Sequence, residues 1–481
     1  MVSSPTSKRQ RSSEGLTTGV PELGVLYPRI LLPDSSKVDM KKWAVVACDQ
    51  YTSEEDYWKR VEETVGDAPS TLRITFPEVY LEKGHAEEII SDIIKRMHEY
   101  EEKEFFCETK TNGVVLVERT FRSGVMRKGV ILALDLEKYS FKAGSQTVIR
   151  ATEKTIESRI PPRLKIRRAV DVELPHIIVL IDDPEDSVLS SLAQHCAPEH
   201  EIYETELMEN SGHIKGFWID NHEALKELSE NFENLAHQEN FKAKYSLSEQ
   251  NLHPLVFAMG DGNHSLATAK TWWEEIKEVA KNNSTFDSLM ACHPARYALV
   301  EIQNCQDPSL EFEPINRLLL GIVGGAEQIL SDLKAHFEAS GEGPVVIGEG
   351  DDVYNDVASS QPGNDPHAQS VGYVVNGKRG CCTIVNPKKN IAVASMTDFI
   401  DGWLAKHTDV KIDYVHETTA IDRLCTAHHP DNIGFVFSAM AKSDLFKSVI
   451  LDGVLPRKTF SMGASHDKRF YFEGRRIKGD I

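Results

Sequence analysis

The chain has 481 residues, of which 41% are hydrophobic and 27% charged, enough to bury a large core and more than one domain. Its 74 acidic residues outnumber its 54 basic ones, for a net charge of −20, which argues against binding nucleic acid through a positive field. No window approaches the roughly 20 apolar residues of a membrane span, and the eight cysteines form no C-x-x-C pair, so a reducing cytoplasmic setting with free thiols is expected.

In chain order, the polar, Ser-rich start "MVSSPTSKRQRSSEG" reads as a disordered tail over 1–22. "WAVVAC" (43–48) reads as a short buried strand ending at Asp49. "TSEEDYWKRVEETV" then carries the Ser/Thr cap and early acids of a helix N-terminus. "STLRITFPEVYL" alternates and reads as a strand broken by Pro77. Residues 84–103 place Ile89, Ile90, Ile93 and Ile94 on one helical face. "GVVLVERTF" and "RKGVILALDLEKY" read as a hairpin, "HIIVLIDD" as a buried strand, and 188–209 and 222–245 as mostly helical around a strand at "HIKGFWID". A strand at 254–260, a helix from 264 to 281 and the strand "ARYALVEIQ" follow. The Gly/Asp/Ser/Pro-rich stretch 341–369 reads as a flexible loop or boundary between a main region, 23–340, and a C-terminal region, 370–481. The expected fold is α/β to α+β, with mixed sheets, flanking helices and two lobes.

Chemistry concentrates at "FAMGDGNHSLATAK". The strand-like run ends at Asp261, and after Gly262 the apolar positions Leu266, Ala269, Trp273, Ile276 and Ala280 recur at helical spacing. A strand-to-helix junction exposes backbone N–H groups that hold phosphate, and glycine lets a ligand approach. Asp261 could bind Mg²⁺ or act as a base, and His264 could meet a phosphoryl oxygen. Read alone, the junction is more often a helix cap made by Asn263 or Asp261 than a ligand site. The arginine run 150–168, with Arg150 and Arg163, offers planar forks for phosphate or carboxylate, or else a solvated basic face. Asp49, at a strand's C-terminal end, lies where α/β ligand sites open, or caps the helix that follows. His416-Glu417 and His466-Asp467 lack zinc spacing, and "SMGAS" lacks a nucleophile elbow.

Together, "YPRILLP", "VACDQYTSEEDYW", "EKTIESRIPPRLKIR", "LPHIIVLIDDPE", "FAMGDGNHSLATAK", "HPARYALVEI" and "LPRKTFSMGASHDKRFY" resemble the domain of unknown function 1015 family from about residue 25 to 477. The central motif also resembles the "DGHHR" of ParB/sulfiredoxin-like domains, among them free-serine kinases. The resemblance implies a ParB/sulfiredoxin-like element and a kinase using ATP or ADP with Mg²⁺ to phosphorylate the hydroxyl of free L-serine. A nucleotide hydrolase or a non-catalytic nucleotide-binding module are the alternatives. Asp261, Gly262 and His264 match the motif; Asn263 stands in place of a histidine and Ser265 in place of an arginine. The resemblance implies Asp49 as base, with Asp261 and His264 catalytic and Asp261 facing the metal. Gly262, Asn263 and Ser265 cradle phosphate, with Lys270, Arg150 or Arg163 supplying the missing charge. Glu153 and Thr155, retained from a His-Glu-x-Thr pattern, are expected to bind substrate.

Overall fold

A computed structural model describes residues 18–479 except 53, 82–83, 143, 248–251, 285 and 360–366, so most of the expected tail and part of the expected loop lie outside the described residues. The first lobe is built from α1 (Glu55–Val65), α2 (Ala86–Glu102), β1 (Val114–Thr120), β2 (Met126–Asp135), α3 (Ile160–Ala169), β3 (Ile178–Ile181), β4 (Glu201–Glu206), β5 (His213–Ile219), α4 (His222–Ala236), β6 (Phe257–Asp261), α5 (Asn263–Ala280) and β7 (Tyr297–Asn304). Its strands form one mixed sheet in the order β4-β5-β1-β2-β7-β3-β6, extended past β6 by Ile149–Arg150 and Tyr139–Ser140.

Both faces of this sheet are buried, because side chains alternate along each strand. Val130, Leu132 and Leu134 of β2 pack with Leu228 and Phe232 of α4 and Leu266 and Trp273 of α5. Ile131, on the opposite face, packs with Trp58 and Val61 of α1 and Ile90 and Ile93 of α2. The result is a helix–sheet–helix sandwich whose two apolar layers were visible as continuous hydrophobic runs.

The second lobe starts at β8 (Asn316–Leu320) and adds β9 (Val345–Glu349), β10 (Gln369–Val375), β11 (Lys378–Ile384), α6 (Ala392–Leu404), β12 (Lys411–Val415) and β13 (Ile433–Val436). These strands form an antiparallel sheet in the order β9-β11-β10-β13-β8-β12. The chain then returns to the first lobe. Phe460–Met462 pairs with Phe312–Pro314, Val46 bridges Phe470, and Arg475–Arg476 pairs with Val172–Glu173.

Four expectations are corrected. The 341–369 stretch contains β9 and a helix, Asp351–Ala358, because Val345 and Ile347 pair with β11 and Tyr354 and Val357 are buried. The lobes therefore meet before β8 rather than near residue 360. Residues 43–48 hold a single bridge, since Met40–Trp43 is already helical. Residues 70–81 form two 3₁₀ turns: the Ser70 and Thr71 hydroxyls donate to the Trp43 carbonyl, and Pro77 lacks the N–H a strand needs. Helix in 188–209 stops at Gln194, and Glu201–Glu206 pairs with β5 as the sheet's edge.

Candidate functional site

The strand order explains how distant segments meet. β3 runs antiparallel to β6, so the residues entering β3 lie against the residues leaving β6. Ile178 opposes Asp261, and the register slips beside that pair. Gly262 follows with φ 77°, a left-handed conformation suited to glycine. A Cβ there would stand 3.0 Å from the Ile177 Cα, so backbone conformation and crowding both select the residue.

Helix α5 begins at Asn263 with no side-chain cap on its first N–H groups. The cap reading of this junction is thereby corrected: Asp261 Oδ1 accepts the Gly262 N–H at 2.8 Å, and Oδ2 lies 3.2 Å from Lys468 Nζ. Asn263 Oδ1 is buried and has no hydrogen-bond partner among the described residues. His264 Nε2 accepts the Ile156 N–H at 3.2 Å. Burial first, then the charges of Arg163 and Arg159, pull His264 down to about 4, so near neutral pH it is an uncharged ring.

Beside the helix start, Ser265 Oγ is 3.4 Å from His176 Nε2, and Asp49 Oδ2 is also 3.4 Å from that nitrogen. On the other side of the ring, Nδ1 lies 2.8 Å from the Tyr471 hydroxyl. The Cys48 N–H already donates to that phenol oxygen at 3.1 Å, and burial pushes the phenol far above its ordinary pKa. Tyr471 therefore keeps its proton against Nδ1, while Nε2 faces Asp49 and Ser265. Burial opposes ionisation of Asp49, yet the charge and hydrogen bond of His176, with Gln50 and Arg163, hold its carboxyl well below the usual range. Asp49 is thus a stable carboxylate in a half-buried position.

Glu153 is placed by a bridge to Leu455, with Thr152 Oγ1 donating to the Met259 carbonyl on β6. Burial and then the charge of Asp261 raise its carboxyl to about 7. Thr155 is buried with its hydroxyl unpaired among the described residues.

Of the residues read from the sequence, Asp49, Glu153, Asp261, Gly262, Asn263, His264 and Ser265 converge, and Arg163 stands close enough to act on both Asp49 and His264. Arg163 itself is committed to Glu78 and to the Arg159 carbonyl. Two expected phosphate ligands point elsewhere. The Arg150 guanidinium is spent on the carbonyls of Thr147 and His253, at 2.7 and 2.8 Å. Lys270 pairs with Glu274 at 2.6 Å, one helical turn toward the C-terminus, as i,i+4 spacing favours.

His176, Tyr471 and Lys468 escaped the sequence reading. His176 had one signal, a lone polar residue at the mouth of "HIIVLIDD"; Lys468 had none beyond its place in a basic run. A protein-held Mg²⁺ does not fit Asp261, whose two oxygens are taken by Lys468 and the Gly262 N–H. Among the described residues no group of three or more His, Cys, Asp or Glu could hold a metal ion, and no helix is long and apolar enough to cross a membrane.

Solved structures that resemble the chain include a mutant free serine kinase in complex with AMP, at TM-score 0.37 and 8% identity over 71% of this chain and 90% of that one. A conserved hypothetical protein from Pyrococcus furiosus gives TM-score 0.33 and 9% identity over 72% and 95%. SbnI with a C-terminal truncation, from Staphylococcus aureus, gives 0.31 and 7% over 70% and 83%. Likenesses this loose carry no argument about activity. No curated protein matches the sequence significantly. The family described as "Protein of unknown function (DUF1015)" matches residues 32–408, most of the chain, and the protein belongs to it.

Proposed function

We propose that the protein is a nucleotide-dependent phosphotransferase acting on the hydroxyl of a small acceptor. Free L-serine, the acceptor implied by the motif's resemblance, is the first to test. The observation that carries the reading is the uncapped N-terminus of α5, flanked by Lys468 on one side and by the Asp49–His176 pair on the other.

Phosphoryl transfer needs positioning and charge neutralisation more than covalent help from the protein. The N–H groups opening α5 and the Lys468 ammonium supply positive potential for the phosphates of ATP or ADP. Lys468, beside Asp261, supplies the charge that the motif's arginine would carry. His264, neutral and already accepting a backbone hydrogen bond, holds the 156 segment against the junction rather than supplying charge. Asp49 accepts the acceptor's hydroxyl proton, and His176, held on its other side by Tyr471, keeps that carboxylate near Ser265. The metal that accompanies nucleotides finds no ready carboxylate at Asp261, so no step is assigned to one.

Purified protein incubated with ATP or ADP, Mg²⁺ and L-serine gives O-phosphoserine and the shortened nucleotide if the reading holds. Nucleotide loss without phosphoserine identifies a hydrolase, and an unchanged nucleotide rejects L-serine as the acceptor.

A further inference from the structure

We infer that the acceptor carries an apolar group, and that this group occupies a cavity opening beside His176. The inference rests on the phosphotransfer reading for the role of the hydroxyl, and on the cavity alone for the apolar group.

The cavity has a volume of about 150 Å³, opens to solvent, and lies between α2, α3, the segment 172–177 and the first turns of α5. Cys48, His176, Ser265 and Tyr471 line it, so it is continuous with the ring whose Nε2 faces Asp49. Away from that end its wall is apolar, from Ile74, Phe76, Leu81, Met97, Ile166 and Val170. A mainly apolar concavity with a few polar groups at one side is the usual form of a small-molecule pocket.

The charged residues of the wall are already paired with one another. Glu173 is held by Arg475 at 2.9 Å and by Arg167 at 2.6 Å, and Glu78 by Arg163. The ammonium or carboxylate of a free amino acid would therefore enter without a partner, and an unpaired charge in such a place is costly. An alkyl or aryl body needs none. L-serine has no apolar group to bury against this wall, whereas an alcohol with an alkyl or aryl substituent buries one there and presents its hydroxyl to the Asp49–His176 end.

In the reaction, the alcohol oxygen forms a bond to the terminal phosphorus of the nucleotide as the bond from that phosphorus to the bridging oxygen breaks. The hydroxyl proton passes to Asp49, and the shortened nucleotide leaves with the bond's electron pair.

The test uses the full chain and has two readouts. Saturation-transfer NMR, without nucleotide, measures binding of 2-phenylethanol and 4-methylpentan-1-ol, with L-serine and adenosine as competitors. Turnover with ATP and Mg²⁺ is measured on the same alcohols and on L-serine. Ile166→Phe and Leu81→Phe, at two partly exposed wall positions, narrow the cavity without touching Asp49, His176 or Lys468; circular dichroism establishes that each folds. The expected result is that both alcohols bind, that neither competitor displaces them, and that a folded narrowing variant weakens their binding roughly tenfold or more. Turnover, where it occurs, favours the apolar alcohols over L-serine.

Displacement by L-serine overturns the inference. Displacement by adenosine also overturns it, by making the cavity the donor's base pocket. Failure of both alcohols to bind, or binding that a folded narrowing variant does not weaken, overturns it as well. Binding without phosphorylation of any alcohol supports the apolar subsite and removes the phosphotransfer reading, so the two failures are distinguishable.

Discussion

Replacing Glu153 with glutamine tests the electrostatics of the α5 junction without adding or removing bulk. Burial and the neighbouring Asp261 raise the Glu153 carboxyl from 4.5 to about 7 on folding. The folded chain therefore keeps a proton that the unfolded chain gives up earlier as pH rises. Stability is present in full below pH 4.5 and is lost as pH rises through 7. At about 1.4 kcal/mol for each tenfold change, the full displacement is worth about 3.4 kcal/mol, of which about 0.8 has accrued by pH 5. Partial access of solvent to this half-buried group reduces the remainder to about 1–2 kcal/mol between pH 5 and 8.5. Glu153→Gln cannot ionise, so its stability relative to the parent rises by that amount over the interval. Urea unfolding of both proteins at the two pH values measures the double difference, in which groups common to both cancel. In an Asp261→Asn background the gain shrinks, because one of the two causes is gone. Parallel stability profiles for parent and variant would refute the reasoning.

His264 has the opposite pH sense. Its pKa falls from 6.5 to about 4 on folding, so the unfolded chain takes the proton first and stability present above pH 6.5 is lost as pH falls toward 4. For a group this accessible the loss is about 1–2 kcal/mol, and thermal midpoints of parent and His264→Gln at pH 7 and 4.5 show it as a gap that changes with pH. Asp49→Asn reduces turnover about 100-fold or more if it is the proton acceptor, and unchanged kcat in a steady-state assay rejects that role. Tyr471→Phe frees Nδ1 of His176; imidazole ¹⁵N shifts then move, whereas unchanged shifts dismiss the phenol's contact with the ring. Gly262→Ala costs about 1–3 kcal/mol through its left-handed backbone and its contact with Ile177, measured by chemical unfolding; a neutral result contradicts the local geometry.

The first lobe was largely legible because its strands are long and apolar on both sides, and because α5 repeats Leu266, Ala269, Trp273 and Ile276 at an unambiguous period. What misled were stretches whose local pattern is overridden by side-chain bonds or by distant pairing. "STLRITF" alternates like a strand, but the Ser70 and Thr71 hydroxyls bind the Trp43 carbonyl and wind it into a turn. Residues 201–206 follow a helix with no apolar break and become a strand only because β5 lies beside them. Half of the candidate site shares this difficulty. Asp261 to Ser265 are contiguous and carry a helix-start signature, but the partners that give them chemistry come from residues 49, 176, 468 and 471. No local spacing records that these positions meet, because antiparallel pairing of β3 with β6 and the late return of the chain decide it. Arg150 shows the converse: a residue type suited to phosphate, spent on two loop carbonyls.

That late return has a consequence in time as well as in space. A ribosome delivers the first-lobe strands, then the whole six-stranded insert, and only afterwards the segment bearing Lys468 and Tyr471. Domains fold as they emerge, so the first lobe waits through more than a hundred residues of synthesis with Asp261 uncompensated, Val46 without its bridge to Phe470 and the Tyr471 side of His176 bare. The nascent chain thus reaches a nearly finished scaffold without its charge pair or the phenol beside His176. The candidate site is completed in one late step, when the returning segment docks.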